Sequence, residues 1–182
     1  HGIPVARQGS VARADWARDR DAILRKLRSE PGLPCVVKPA SAGSSVATHL
    51  VASESELPAA IEDALGACER ALVEERLVGT EVTCGVLGGG PHESAQALPL
   101  TEIRPVGAAF FDYRAKYTKG ASEDVTPAQV PDAVTRRVQE LSLVAPSALG
   151  CEGTSRPDFI VRDGVPHALE TNTIPGLTPL SL

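Results

Sequence analysis

Acidic and amide side chains gather near the C-terminal end of the sequence. Asp158, Glu170 and Asn172 carry oxygen donors, which suit a hard cation such as magnesium better than zinc. They flank Asp163-Gly164, a turn signal between two apolar runs, and this pattern predicts a β-hairpin. The alternative for these residues is a solvated sheet face that carries a surface ion pair.

The length of the hairpin loop decides whether these side chains meet. A two-residue turn would offset Asp158 from Glu170 and split the cluster, because side chains alternate between the two faces of a strand. A three-residue loop at 163–165 places Asp158 opposite Glu170. The same register places Arg156 opposite Asn172, on the same face. Three-residue loops with glycine are common, so we expect this register.

Two lysines could contact phosphate oxygens. Lys38 follows the apolar run 33–37, which predicts a buried strand, and Lys116 lies in a long polar segment. The small residues Gly43-Ser44-Ser45 predict a loop whose backbone N–H groups could also bind an anion. The sequence has no P-loop pattern. Each lysine alone is a weak signal, since most lysines are solvated surface groups.

A further acidic group follows the apolar run 71–73. Glu74 and Glu75 come at the end of this predicted strand, and Glu81 lies a few residues beyond. Carboxylates in such a position could hydrogen-bond a nucleoside. Taken alone, the segment is more typical of a charged strand end.

The elements that position these residues follow from apolar periodicity. Helices are predicted over 10–30, 53–68 and 134–146, with a bend or an end near Pro146. Strands are predicted over 33–37, 71–74, 81–87, 94–103 and in the C-terminal hairpin. Residues 106–131 lack periodicity and predict a long loop. This order of elements predicts an α+β fold with helices on mostly antiparallel sheets.

The composition is that of an ordinary folded protein. Of the 182 residues, 42% are hydrophobic and 23% are charged. The net charge of −5 argues against binding to nucleic acid or to an anionic membrane. We expect neither a spanning helix nor a signal peptide, since no apolar run reaches ~18 residues. The first residue, His1, suggests a part of a longer protein.

Several motifs taken together resemble those of the D-alanine–D-alanine ligases, which have the ATP-grasp fold. The matching segments, in family order and spacing, are 37–40, 43–46, 72–74, 79–81, 111–117, 149–151, 156–159 and 169–178. The resemblance covers nearly the whole chain and implies two α+β subdomains that clamp the nucleotide. The implied bounds are 1–30 for an N-terminal segment with a helix, 31–88 for the small central subdomain and 89–182 for a truncated large C-terminal subdomain.

The resemblance implies nucleotide-binding roles by position. Lys38 and Lys116 would contact the phosphates of ATP from opposite sides. Glu74 and Leu77 would lie at the adenine edge, partly through backbone groups, and Glu81 would bind the ribose.

The resemblance also implies the metal and catalytic residues. Asp158, Glu170 and Asn172 match the ligands of Mg2+, for which Mn2+ is a possible substitute. Arg156 matches the arginine that stabilises the acylphosphate and the tetrahedral species.

The remaining implied residues lie near the substrates. Ser44 and Tyr117 match a serine and a loop tyrosine near the substrate, so the resemblance implies catalytic roles for them as well. Gly176, Ser181 and Leu182 match the positions that receive the second D-alanine.

The implied activity is the ATP-dependent joining of two D-alanines through an acylphosphate, for peptidoglycan precursor synthesis. The partners would be D-alanine and ATP, without nucleic acid or membrane. The full-length enzyme would be cytoplasmic and a homodimer. From the resemblance we expect the family's N-terminal domain and closing helix to lie outside this chain. We therefore keep a second interpretation, a nucleotide-binding module without turnover.

Another alternative is an ATP-grasp carboxylate–amine ligase with a different acceptor. Tyr117 favours an amine acceptor, because the related D-alanine–D-lactate ligases typically carry histidine at the matching position. Pro157, between Arg156 and Asp158, suggests that its strand lies at a sheet edge.

Overall fold

The computed structural model describes residues 1–43, 45–90, 93–105 and 122–176. Contacts divide these residues into two units. The smaller unit comprises 6–43 and 45–76, and the larger comprises 1–5, 77–90, 93–105 and 122–176. The domain bounds given by the resemblance stay a prediction.

The smaller unit contains four strands and three helices among its described residues. In chain order they are β1 (Gln8–Ala12), α1 (Arg13–Arg18), α2 (Arg20–Ser29), β2 (Cys35–Pro39), β3 (His49–Val51), α3 (Leu57–Ala67) and β4 (Arg70–Glu75). The sheet is antiparallel, in the order β1-β4-β2-β3. Val37 and Val73 on one face pack in a core with Ile61 of α3. Because side chains alternate along a strand, Lys38 and Glu74 lie on the opposite face.

The single helix predicted over 10–30 is wrong in two respects. Residues Gln8–Ala12 form a strand that pairs with β4. The helical stretch is then broken at Asp19, which has an extended φ of −155°. The Asp19 side chain accepts a hydrogen bond from the backbone N–H of Ala22 at 2.9 Å and so caps a new helix. Trp16 and Leu27 are both buried, so the apolar periodicity correctly indicated the buried positions, but these lie on two helices and not on one.

The larger unit has five antiparallel strands and one helix among its described residues. They are β5 (Thr80–Leu87), β6 (Gln96–Pro105), β7 (Ser122–Val125), α4 (Asp132–Ala148), β8 (Arg156–Arg162) and β9 (Val165–Asn172). The sheet order is β7-β6-β5-β8-β9. Val82, Cys84 and Phe159 on one face pack against Val138 and Leu141 of α4. The two antiparallel sheets confirm the predicted α+β class.

Three expectations need correction in the larger unit. Strand β7 lies within 106–131, which the sequence predicted as a loop. Strand β8 is paired on both sides, with β5 and β9, so Pro157 does not mark a sheet edge. Helix α4 continues past Pro146 to Ala148. In the described ranges, no helix is long and apolar enough to cross a membrane.

The β8–β9 hairpin has the expected register at its far end but not the expected loop. Arg162 pairs with Val165, so the turn has two residues, Asp163 and Gly164, with φ values of 53° and 77°. Positive φ at both positions is typical of a type I′ turn. The register then shifts between Asp158 and Phe159, where Leu169 is the extra residue of a β-bulge. The prediction of a three-residue loop is therefore wrong. The β-bulge at Leu169, and not the loop, places Asp158 opposite Glu170.

Candidate functional site

The β8–β9 register brings the predicted metal ligands together on one face. Asp158 pairs with Glu170, and Arg156 pairs with Asn172. The Asn172 amide nitrogen donates to Asp158 Oδ2 at 2.9 Å and to the Arg156 carbonyl oxygen at 3.2 Å. These two hydrogen bonds fix the amide nitrogen, which leaves the amide oxygen to accept from or coordinate another group.

Asp158 is a buried carboxylate held by several donors. The residue is only 6% exposed, so its charge requires polar partners. Thr83 on β5 lies directly opposite Asp158, and its hydroxyl donates to Asp158 Oδ1 at 2.5 Å. Arg156 Nε donates to the same oxygen at 3.2 Å. The carboxylate is thus held in one orientation by residues of three adjacent strands.

Glu170 differs from Asp158 in having an exposed side chain. Within the described ranges, it has no hydrogen-bond or ion-pair partner. Two carboxylates that face each other across a strand pair repel unless a cation lies near them. The residues fit a hard divalent cation, because they offer two carboxylates and an oriented amide oxygen. In the described part of the chain, no group of three or more His, Cys, Asp or Glu residues could hold a metal, so this set depends on the amide.

Lys38 and Glu74 form an ion pair in the smaller unit. The register pairs Val36 with Glu74 and Lys38 with Leu72, so the two charged residues are diagonal neighbours on one face. Lys38 Nζ lies 2.8 Å from Glu74 Oε2, and the side chains are only 21% and 13% exposed. Val36 and Leu72 lie on the same face, so aliphatic residues flank the ion pair.

Glu75 next to this pair has a different partner. The Arg7 side chain donates to Glu75 Oε2 through Nε and Nη2, at 3.1 Å and 3.0 Å, and the Arg7 backbone N–H donates to Oε1. The Glu75 backbone N–H donates in return to the Arg7 carbonyl. The end of β4 is therefore held by residue 7 as well as by the sheet.

The other predicted site residues are found in several places. Leu77 is buried just before β5, and Glu81 lies on β5 two residues before Thr83, on the same face. Gly176 lies four residues beyond β9. The predicted residues outside the described ranges are Ser44, Lys116, Tyr117, Ser181 and Leu182.

The sequence interpretation missed Thr83. A threonine in a strand is ordinary, and its partner Asp158 is 75 residues away. The available signal was the alternation along β5, in which Val82, Cys84 and Val86 are the apolar positions. That alternation assigns Thr83 to the face of Glu81, away from the apolar core.

Comparison with known proteins identifies the family. A family model described as D-ala D-ala ligase C-terminus matches residues 1–182. The chain belongs to this family. Its sheets agree with the ATP-grasp fold of solved ligases of this group, as predicted. The chain spans about half the length of the curated relatives it matches.

Individual relatives agree with the family match. The D-alanine–D-alanine ligase of Syntrophobacter fumaroxidans is 44% identical over 182 residues, which is 100% of this chain and 56% of that protein. The solved D-Ala:D-Ser ligase of Enterococcus faecalis has a TM-score of 0.84 and 34% identity, and the match covers 100% of this chain and 51% of that one. The Bacillus anthracis D-alanine–D-alanine ligase complexed with ATP has a TM-score of 0.76 and 28% identity. The match covers 100% of this chain and 53% of that one.

Proposed function

We propose that this chain forms the ATP- and metal-binding part of a D-alanine–D-alanine ligase. The enzyme joins two D-alanines in peptidoglycan precursor synthesis, in the cytoplasm and as a homodimer at full length. The observation that carries the proposal is the oriented carboxylate of Asp158 beside Glu170 and Asn172, in a chain of this family. ATP binding is supported further by a solved family member that is complexed with ATP.

Asp158, Glu170 and Asn172 are proposed to hold Mg2+, with Mn2+ as a substitute. A bound cation supplies charge neutralisation for a polyphosphate. The residues support this assignment because Glu170 has no partner within the described ranges, while Asn172 has its amide nitrogen fixed by Asp158. Asp158 adds a carboxylate whose orientation is already set, so little ordering is needed when the cation binds.

Nucleotide binding is proposed for five residues of the chain. Lys38 and Lys116 contact the phosphates, Glu74 and Leu77 bind at the adenine edge, and Glu81 binds the ribose. The Lys38–Glu74 ion pair supports a place for both side chains in this site, since it positions the Lys38 ammonium at 2.8 Å from an anionic oxygen. A phosphate oxygen can accept from the same ammonium, because lysine has three N–H donors and phosphate is also an anion.

The proposed reaction has two steps on the substrates. The carboxylate of the first D-alanine attacks the γ-phosphate of ATP and gives an acylphosphate and ADP. The amine of the second D-alanine then attacks the acyl carbon, and phosphate leaves. Arg156 stabilises the negative charge in both steps. Its Nε donates to Asp158, and among the described residues no hydrogen bond uses its other guanidinium donors.

The substrates themselves are proposed to bind at five further residues. Ser44 and Tyr117 are proposed to act in catalysis, near the substrate. Gly176, Ser181 and Leu182 receive the second D-alanine. Exclusion of water from the acylphosphate is required, since water would hydrolyse it.

A second candidate function is a ligase with D-serine as the acceptor. The solved D-Ala:D-Ser ligase is similar to the whole chain, with 34% identity. D-serine, like D-alanine, attacks through an amine, so the same chemistry at Arg156 and the metal ligands serves both acceptors.

Phosphate release measured with different acceptors tests the proposal. The assay contains ATP, Mg2+ and D-alanine, alone or with an excess of D-serine or D-lactate, and mass spectrometry identifies the dipeptide or depsipeptide. We expect D-alanyl-D-alanine as the main product. A clear preference for D-serine or D-lactate would replace the proposed acceptor.

Calorimetric titration with ATP and Mg2+ separates ligation from simple nucleotide binding. ATP binding without phosphate release would indicate a nucleotide-binding module without turnover. A chain that binds no ATP in the presence of Mg2+ would refute the proposal as a whole.

A further inference from the structure

Thr83 makes the shortest hydrogen bond to Asp158 among the described residues. Its Oγ1 lies 2.5 Å from Asp158 Oδ1 and 3.4 Å from the Pro157 carbonyl oxygen. One hydroxyl hydrogen serves one strong bond at a time, and the nearer, charged oxygen is the better acceptor. Thr83 is 3% exposed, so this hydroxyl is not shared with bulk solvent.

The other two donors to Asp158 are less well placed to fix it. Arg156 reaches Oδ1 at 3.2 Å through a long side chain from the same strand, two residues away. Asn172 donates one amide hydrogen to Asp158 Oδ2 at 2.9 Å and the other to the Arg156 carbonyl oxygen, so it holds Oδ2 and does not contact Oδ1. Thr83 instead has a β-branched side chain with a restricted rotamer, on a strand in which it directly faces Asp158.

We propose that Thr83 is a positioning residue that sets the orientation of the Asp158 carboxylate for the divalent cation. The inference rests on the proposed metal site at Asp158, Glu170 and Asn172. The Thr83 hydroxyl holds Oδ1, which directs Oδ2 and its remaining lone pair toward the face that carries Glu170 and Asn172. Groups that orient metal ligands typically contribute about 10- to 100-fold to metal affinity, and we expect a loss of this size without the hydroxyl.

Threonine-to-valine substitutions test this role. T83V keeps the side-chain shape and removes the hydroxyl, whereas T83S keeps the hydroxyl and removes the methyl group. T101V is the matched control, because Thr101 is the partner of Thr83 on β6 and its hydroxyl bonds to Thr126 at 2.6 Å instead of to Asp158. Each full chain is titrated with Mn2+, and electron paramagnetic resonance measures the free ion. Thermal unfolding is recorded for each variant.

The expected result is a loss of Mn2+ affinity of about 10- to 100-fold in T83V, with T83S and T101V close to the wild type. Wild-type affinity in T83V would overturn the inference, and so would an equal loss in T101V, since that loss would reflect the sheet as a whole. If T83V does not fold, T83S and T83A provide the same comparison, because they differ only in the hydroxyl. Equal affinities in that pair would overturn the inference.

Two further variants separate this inference from the proposed function. D158N and E170Q remove one carboxylate each. If both bind Mn2+ as the wild type does, the metal site is not at these residues, and the proposed function fails together with the role of Thr83. If both lose binding while T83V retains it, only the role of Thr83 fails.

Discussion

Gly79 is the residue at which a single added methyl group should most clearly disturb the larger unit. It lies just before β5, beside the β8 residues Ile160 and Val161. A Cβ at position 79 would lie 2.8 Å from the Val161 carbonyl carbon and closer still to its oxygen. The obstacle is backbone, which cannot move away by a change of rotamer.

The cost of Gly79→Ala follows from these distances. Ordinary van der Waals contact begins at 3.4 Å, whereas the added Cβ would lie 2.8 Å from the Val161 carbonyl carbon. The two strands must therefore separate locally by at least 0.6 Å. Overpacking of this kind costs about 1 to 3 kcal/mol. Thr80 pairs with Val161 next to this position, so part of the β5–β8 ladder is strained as well.

Gly66 supplies a matched Gly→Ala control. It lies in α3 of the smaller unit, and a Cβ there would meet no atom within 4 Å. Alanine is the better helix former, so Gly66→Ala should stabilise the chain by about 0.5 to 1 kcal/mol. The two substitutions are chemically identical and should have opposite signs.

Urea denaturation followed by circular dichroism measures both changes in the free energy of unfolding. Hydrogen exchange with mass spectrometry then locates the loss in Gly79→Ala, which should lie in peptides from β5 and β8. The steric reasoning is refuted if Gly79→Ala unfolds within about 0.5 kcal/mol of the wild type, the usual range of a neutral surface change.

The remaining predictions concern two carboxylates. Glu170→Gln should weaken Mg2+-dependent ATP binding in calorimetry and leave binding without Mg2+ unchanged; equal Mg2+ dependence would remove Glu170 from the metal site. Glu56→Gln should lower stability at neutral pH, because the Ala52 and Ser53 backbone N–H groups donate to the carboxylate and lower the pKa of Glu56. A lowered pKa stabilises the fold above the ordinary value of 4.5, and the contribution is lost as the pH falls through the folded-state pKa. Melting curves from pH 7 to pH 3 should therefore converge for this variant and the wild type, and a constant gap would contradict the cause. Glu152→Gln, at an exposed carboxylate, is the control for both substitutions and should change neither measurement.

The sequence was most informative where local pattern and tertiary structure agree. The apolar runs around Val37, Val73 and Val82 became central strands, because a buried strand needs apolar residues at alternate positions. The helix that begins at Leu57 was predicted from Ser53 and Glu56, and the Glu56 carboxylate does accept from the Ser53 backbone N–H.

The missed strands depend on their partners. Gln8–Ala12 contains glycine, serine and glutamine, and its conformation is set by pairing with β4. His49–Val51 has only three residues, too few for a periodic pattern. Local sequence carries little information about such edge strands, because the hydrogen bonds that define them come from distant residues.

The candidate site was predicted in part. The residue types of Asp158, Glu170 and Asn172 indicated a hard cation, and the structure does bring them to one face. Thr83 could not be identified in the same way, because the β5–β8 pairing that brings it to Asp158 spans 75 residues. A helix or hairpin pattern describes neighbours along the chain, whereas this contact depends on how the sheet is assembled.

Because of the bulge at Leu169, the pairing of the proposed metal ligands does not require a three-residue turn. An odd number of loop residues pairs positions of equal parity, and an even number pairs positions of opposite parity. Asp158 and Glu170 are both even-numbered, so a regular hairpin with a two-residue turn would not pair them. They pair because Leu169 is an extra residue in β9. Asp163 and Gly164 can therefore be exchanged for any other two-residue turn without disturbing the ligands.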